Sequence, residues 1–148
     1  MIKGCHTASV TPLRADGSVD YEGLEKLLEF QISNGIDGIL AVGTTGESPT
    51  LLWEEHNEVI ERTCRTTKGR CKSMAGTGSN STRETLAGTE HAAHVGADSV
   101  LLVDPYYNGP SSAEIRREYV REVTKLKLWY AWRLQKCDGM DFETAITK

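Results

Sequence analysis

Two segments of this 148-residue chain repeat one pattern. Gly35-Ile36-Asp37-Gly38 leads into Ile39-Leu40-Ala41-Val42, and Gly96-Ala97-Asp98-Ser99 leads into Val100-Leu101-Leu102-Val103. The copies start at positions 35 and 96, with a further short run, Lys72-Ser73-Met74-Ala75-Gly76, between them. The aliphatic runs do not alternate with polar residues, the pattern of a strand buried on both faces as in parallel sheets. The spacing from one run to the next is about 30 residues, the length of one βα unit.

The segments between the runs read as helices with their own punctuation. Asp20 stands as a cap before Tyr21, Leu24, Leu27, Leu28 and Ile32, which recur at three- and four-residue spacing, and Asn34-Gly35 closes the segment. Ser81 with Glu84, and Ser111 with Glu114, have the spacing of capping boxes. Thr50 is placed to start another helix through Glu54, Glu55, Val59 and Ile60. Strand and helix therefore alternate four times, which predicts an α/β fold with a parallel sheet, doubly wound or closed into a barrel. Eight units need about 250 residues, so this sequence holds roughly five, and a half-barrel leaves strand edges and an interior uncovered. After about Thr124 the rhythm fails. The run Leu126 to Trp132 reads as a fifth strand, whereas 133–148 has no βα character. The expected division is a unit at 1–124 and a divergent tail at 125–148.

Charge and composition narrow the functions available. With 17 Lys+Arg against 21 Asp+Glu the net charge is −4, which offers no basic face for nucleic acid. No apolar run approaches the roughly 20 residues needed to span a bilayer, and no secretory signal is readable at the N-terminus, so the cytoplasm is expected. Cys5, Cys64, Cys71 and Cys137 are scattered without a C-x-x-C pair, and neither zinc nor disulfides are expected.

Two loops carry residues suited to chemistry. In Val42-Gly43-Thr44-Thr45-Gly46-Glu47-Ser48-Pro49-Thr50 the glycines permit close backbone approach, and the adjacent hydroxyls suit a carboxylate. A plain turn capped by Thr50 fits the composition equally well, and no P-loop lysine is present. In Asp104-Pro105-Tyr106-Tyr107-Asn108-Gly109-Pro110 the paired phenols, placed at the end of a buried strand, suit proton transfer, although packing or interface anchoring is commoner for such a pair. The loop Ala75-Gly76-Thr77-Gly78-Ser79-Asn80 lacks the third glycine of a dinucleotide fingerprint, because Ser81 occupies that place. His91 and His94 beside Glu90 lack a further ligand cluster, so solvated or packing roles are expected for them.

In this order the motifs resemble the N-terminal half of the dihydrodipicolinate synthase family, within the N-acetylneuraminate lyase superfamily of class I aldolases. The resemblance rests on Val10-Thr11-Pro12, Gly43-Thr-Thr-Gly-Glu-Ser48 with Thr50-Leu51, Glu55-His56, Ala75-Gly-Thr-Gly78 with Asn80, and Pro105-Tyr-Tyr-Asn108. It extends from about Gly4 to Val120, and the Gly43 to Glu47 stretch looks more like the synthases than the sialic-acid lyases.

The resemblance implies a (β/α)8 TIM barrel, here a partial barrel of four to five units. It implies a lyase, tetrameric in the family, that condenses pyruvate with aspartate semialdehyde through a lysine Schiff base in lysine and diaminopimelate biosynthesis. No metal or organic cofactor is implied. Thr45 matches the residue that binds the pyruvate carboxylate. Thr44 and Tyr107 match two members of a proton relay, the tyrosine reaching into the neighbouring subunit's site. Ser48, His56, Asn80, Glu84 and Tyr106 match positions around an inhibitory lysine site, with Trp53 where some members carry histidine.

The tail departs from the family. Its G-x-K-x-x-[ST]-G segment, which bears the imine-forming lysine, is not found, and the surroundings of Tyr130 and Arg133 do not fit the family pattern. An imine-forming lysine needs a dry pocket that lowers its pKa, which Lys148 at the end of the sequence lacks. Two readings follow: an aldolase-type lyase whose active form needs further segments, or a non-catalytic half-barrel that self-associates or binds a full-length relative.

Overall fold

A computed structural model describes residues 3–126 and the backbone of 129–133. Five strands form one parallel sheet in the order of the chain: β1 (His6–Ala8), β2 (Gly38–Ala41), β3 (Lys72–Gly76), β4 (Ser99–Val103) and β5 (Trp129–Arg133). The two repeats and the run between them are β2, β4 and β3. Register is continuous across the sheet, with Ala8, Leu40, Met74, Ser99 and Trp129 forming one row. Helices α1 (Tyr21–Ser33), α2 (Trp53–Thr67) and α3 (Thr82–His94) connect successive strands. A composite fourth helix, α4, spans 112–126, with a π-helical stretch at Ile115–Val120. The expected fifth strand, Leu126 to Trp132, is found as β5 at Trp129–Arg133, with Leu126 in the 3₁₀ turn that ends α4, while the readings of Lys148, Cys137 and the side chains of Tyr130 and Arg133 lie outside the described residues.

The Gly-x-Asp repeat has a physical role that it plays twice. Asp37 accepts the backbone N–H of Cys5 at 2.7 Å, and Asp98 accepts that of Ser73 at 2.9 Å. Each carboxylate closes the amino end of the strand that precedes its own in the sheet. The preceding glycines, Gly35 and Gly96, have φ of 81° and 86°, the left-handed turn that lets each helix stop and the chain enter the next strand.

The two sheet faces differ in burial, because successive strand residues point to opposite sides. Ile39, Ala41, Ala75, Val100 and Leu102 are buried in one core with Leu24, Leu28, Val59, Ile60, Ala92 and Val123 from the helices. On the opposite face Leu40, Met74, Leu101 and Val103 are only half-buried. Between α1 and α2, Arg62 bridges Glu25 at 2.8 Å and Glu58 at 2.6 Å while stacking on Tyr21.

The caps follow the sequence in part. Asp20 accepts from Gly23 N–H, and Ser111 with Glu114 forms the complete box. Ser81 accepts from Glu84 N–H, but the Glu84 carboxylate takes the Ser79 hydroxyl at 2.6 Å, so the box is half-formed. Thr50 does not start α2. Its hydroxyl donates to Glu47 O at 2.8 Å within a 3₁₀ turn, Ser48–Thr50, and Glu55 satisfies the N–H of Leu52 where the helix begins. Pro49 imposes this turn, because proline prefers the first turn of a helix and so starts one too early for Thr50 to cap.

Candidate functional site

The loops that follow β1 to β4 gather at the carboxyl end of the sheet, where barrel enzymes of this class place their chemistry. The loop 42–47 leaves β2 through a strained backbone. Among the described residues the non-glycine positions with positive φ are Val42 (47°), Glu47 (57°) and Tyr107 (69°), all in the two loops singled out above. A β-branched residue in this region is a genuine outlier, at a cost of about 1–3 kcal/mol, and such outliers cluster at functional sites. The strain therefore sits on Val42 and Glu47 rather than on Gly43 and Gly46.

Tight internal bonding holds that strain. Gly46 N–H donates to Gly43 O at 3.0 Å, Glu47 N–H to Thr44 O at 3.1 Å, and the buried Thr11 hydroxyl to Gly46 O at 2.7 Å. The last bond explains Val10-Thr11-Pro12, which fixes the β2 loop from the β1 side. A Cβ on Gly46 would lie 3.1 Å from Ser9 O, so glycine here permits the close approach. Thr44 and Thr45 are exposed, and among the described residues neither hydroxyl has a hydrogen-bond partner. Both are free to donate to an anion.

The loop 104–110 leaves β4 differently. Tyr107 is 100% exposed, so no packing among the described residues holds its ring, whereas Tyr106 is half-buried. Asn108 Nδ2 donates to Asn80 O at 2.8 Å, tying this loop to the one after β3. Gly78 permits that approach, since a Cβ there would meet Val103 N at 2.4 Å.

His56 lies inside the molecule, 2% exposed, its ring 4.9 Å from that of Trp53. Burial is the main cause that lowers its pKa to about 4, and the nearby Asn57 side chain and Gly76 backbone only partly oppose this. Neither ring nitrogen meets a partner in hydrogen-bond geometry among the described residues. Trp53 also lies against Gly88 of α3, so the tryptophan seals the imidazole between helices. Glu84 is held by Ser79 and Asn80 by Asn108, and Ser48 is half-buried beside the strained turn. Asn80 and Glu84 are thus tied to the segment after β3 and Thr44 and Thr45 belong to the loop after β2, while His56 is buried in α2. His91 Nε2 lies 3.2 Å from Asn57 O, and no metal-binding cluster occurs among the described residues.

Sequence reasoning did not single out Tyr119. It is 1% exposed, and its hydroxyl lies 3.0 Å from Thr85 Oγ1 and 3.1 Å from Val103 O. A lone tyrosine in a charged stretch gives no periodic signal, and only the path of α4 brings it under the loops.

A model of the Dihydrodipicolinate synthetase family matches residues 1–128. The chain belongs to that family. The match extends past Val120, where the motif resemblance was expected to end. The 4-hydroxy-tetrahydrodipicolinate synthase of Hydrogenobaculum sp. (strain Y04AAS1) is 55% identical over 119 residues, 80% of this chain and 41% of the relative. The synthase of that name from Aquifex aeolicus (strain VF5) is 52% identical over 111 residues, 75% of this chain and 37% of the relative. The chain spans less than half the length of these relatives. Among solved structures, the chloride-inhibited dihydrodipicolinate synthase of Acinetobacter baumannii complexed with pyruvate superposes with a TM-score of 0.85 at 43% identity, covering 89% of this chain and 45% of that one. The N-acetylneuraminate lyase of Mycoplasma synoviae superposes with a TM-score of 0.83 at 28% identity, covering 88% of this chain and 46% of that one. The fold is accordingly a partial α/β barrel of the dihydrodipicolinate synthetase type, and its sequence stands nearer to these synthases than to that lyase.

Proposed function

We propose that this chain supplies the pyruvate-binding half of a 4-hydroxy-tetrahydrodipicolinate synthase site. The observation that carries this reading is the strained β2 loop, which presents two exposed hydroxyls, Thr44 and Thr45, without partners among the described residues, at the carboxyl end of a parallel sheet. In this reading Thr45 binds the pyruvate carboxylate, because a hydroxyl donating to a charged acceptor contributes about twice a neutral bond. Thr44 and Tyr107 carry protons between the bound substrates, pyruvate and aspartate semialdehyde. Tyr107 acts from its corner toward a neighbouring copy in a homo-oligomer, which accounts for a tyrosine with no packing of its own. Ser48, His56, Asn80, Glu84 and Tyr106 line a site for inhibitory lysine in this reading. The setting is cytoplasmic lysine biosynthesis.

The barrel unit occupies 1–124 and the divergent tail 125–148. No lysine in this sequence lies in the family's imine-forming segment, so the 148-residue polypeptide alone does not turn over substrate. Incubation with pyruvate followed by borohydride reduction tests this by intact mass. The expected result is no adduct alongside a labelled full-length synthase, and a stoichiometric adduct on one tail lysine overturns it.

A second reading is favoured by the half-buried face of Leu40, Met74, Leu101 and Val103. In isolation this polypeptide is a non-catalytic half-barrel that covers that face by self-association.

A further inference from the structure

We propose that Tyr119 is the positioning residue of the Tyr106–Asn108 corner, acting through an oriented chain of hydroxyls that fastens the loops after β3 and β4 to each other. The orientation follows from what each end can do. Ser79 N–H only donates, and it reaches Thr85 Oγ1 at 2.9 Å. Val103 O only accepts, and Tyr119 Oη lies 3.1 Å from it. Thr85 and Tyr119 hydroxyls are 3.0 Å apart, and each has one proton. With Thr85 accepting from Ser79 and Tyr119 donating to Val103, the remaining Thr85 proton points at Tyr119 Oη. The chain then runs Ser79 to Thr85 to Tyr119 to Val103 in a single sense.

Three of its four members are sealed from water, Ser79 at 5%, Thr85 at 0% and Tyr119 at 1% exposed, while Val103 at the end is half-buried. Solvent cannot replace the fully buried links through Thr85, so removing either hydroxyl strands a buried partner there. Burial raises the Tyr119 pKa, which keeps the phenol protonated as a donor. Val103 ends β4, and the corner begins directly after it. Asn108 adds a second tie to Asn80. Because the Tyr107 side chain is wholly exposed at a φ of 69°, only its backbone sets where the ring stands. The π-helical stretch of α4 contains Tyr119, and such stretches re-register side chains relative to an ordinary helix.

This inference rests on the reading of Tyr107 as a relay residue, and its test separates the two. Tyr119→Phe and Thr85→Val are made in the full 148-residue chain, with Thr63→Val as a control, since the Thr63 hydroxyl is buried but bonds only Val59 O within α2. Amide exchange at Ser79 and residues 106–109 is followed together with the 19F signal of 3-fluorotyrosine at position 107. Tyr119→Phe is expected to speed exchange there about tenfold and to split or broaden the Tyr107 signal, with α1 and α2 unchanged. Thr63→Val is expected to lower global stability without touching the corner. An unchanged corner in Tyr119→Phe, or the same change in Thr63→Val, overturns the proposal. If Tyr119→Phe fails to fold, Thr85→Ser must preserve the corner that Thr85→Val loosens, and equal behaviour of that pair overturns it. Pyruvate binding to the unsubstituted chain is measured alongside, and its absence removes the functional reading while leaving the hydroxyl chain standing.

Discussion

Asp98 closes the amino end of β3 by accepting the N–H of Ser73 at 2.9 Å, while its other oxygen takes Lys72 Nζ at 2.6 Å. Burial alone would raise the Asp98 pKa, but the Lys72 ammonium and the Ser73 donors outweigh it and hold the carboxyl below its ordinary value of 3.8. The folded state thus favours the charged form. This contribution is complete above that value and is lost as pH falls through the lowered folded pKa. Asp98→Ala is expected to cost about 2 kcal/mol, since a bond to a charged acceptor is lost and a strand-end donor is stranded. Urea unfolding at pH 7 measures it, with Asp98→Asn losing less.

His56 sets a second pH dependence. Its pKa is lowered from 6.5 to about 4 by burial, so between these values the unfolded chain binds more protons than the folded one. Stability therefore rises with pH across this window and is lost on acidification from 6.5 to 4. The total is about 3 kcal/mol at 1.36 kcal/mol per pKa unit. In His56→Leu the urea midpoint is expected to flatten over pH 4.5 to 6.5, and an unchanged slope contradicts the buried neutral imidazole.

Thr45→Val removes one hydroxyl without changing side-chain volume. A bond to a carboxylate contributes about 1.5–3 kcal/mol, so pyruvate affinity is expected to fall at least about tenfold with the unfolding midpoint unmoved. Ligand-detected NMR with pyruvate provides the readout. Equal affinity in the two chains removes Thr45 from the site.

The half-buried sheet face predicts association of the isolated polypeptide. Met74→Lys with Leu101→Lys places charge on that face, because the two residues project to the side opposite Ala75 and Val100. Light scattering across concentrations is expected to find an associating parent chain and a less associated variant. A parent that stays monomeric contradicts self-association.

Strands β2 and β4 were legible because each is an aliphatic run behind a Gly-x-Asp turn, whereas β1, β3 and β5 carry no such run and were placed by their spacing or by partial alternation. The boundary of α2 was not, because Pro49 imposes a 3₁₀ turn that uses Thr50 before the helix starts. The half-formed box at Ser81 failed for a tertiary reason: the Glu84 carboxylate has a better partner in the Ser79 hydroxyl. At the site, Thr44, Thr45 and Tyr107 stood out by residue type and by resemblance. The strain at Val42 and the burial of His56 had no sequence signal, since Thr11 of a distant segment ties down the loop that Val42 opens, and His56 is buried by the packing of α2 against the rest of the fold. Tyr119 was silent for the same reason.

The most direct test of the central claim is a 1H–15N NMR titration of the full chain with pyruvate. Saturable shifts confined to Thr44, Thr45 and Gly46 and the adjoining turn are expected, with no covalent species after borohydride treatment. Shifts absent from that loop, or centred elsewhere in the chain, would contradict that claim.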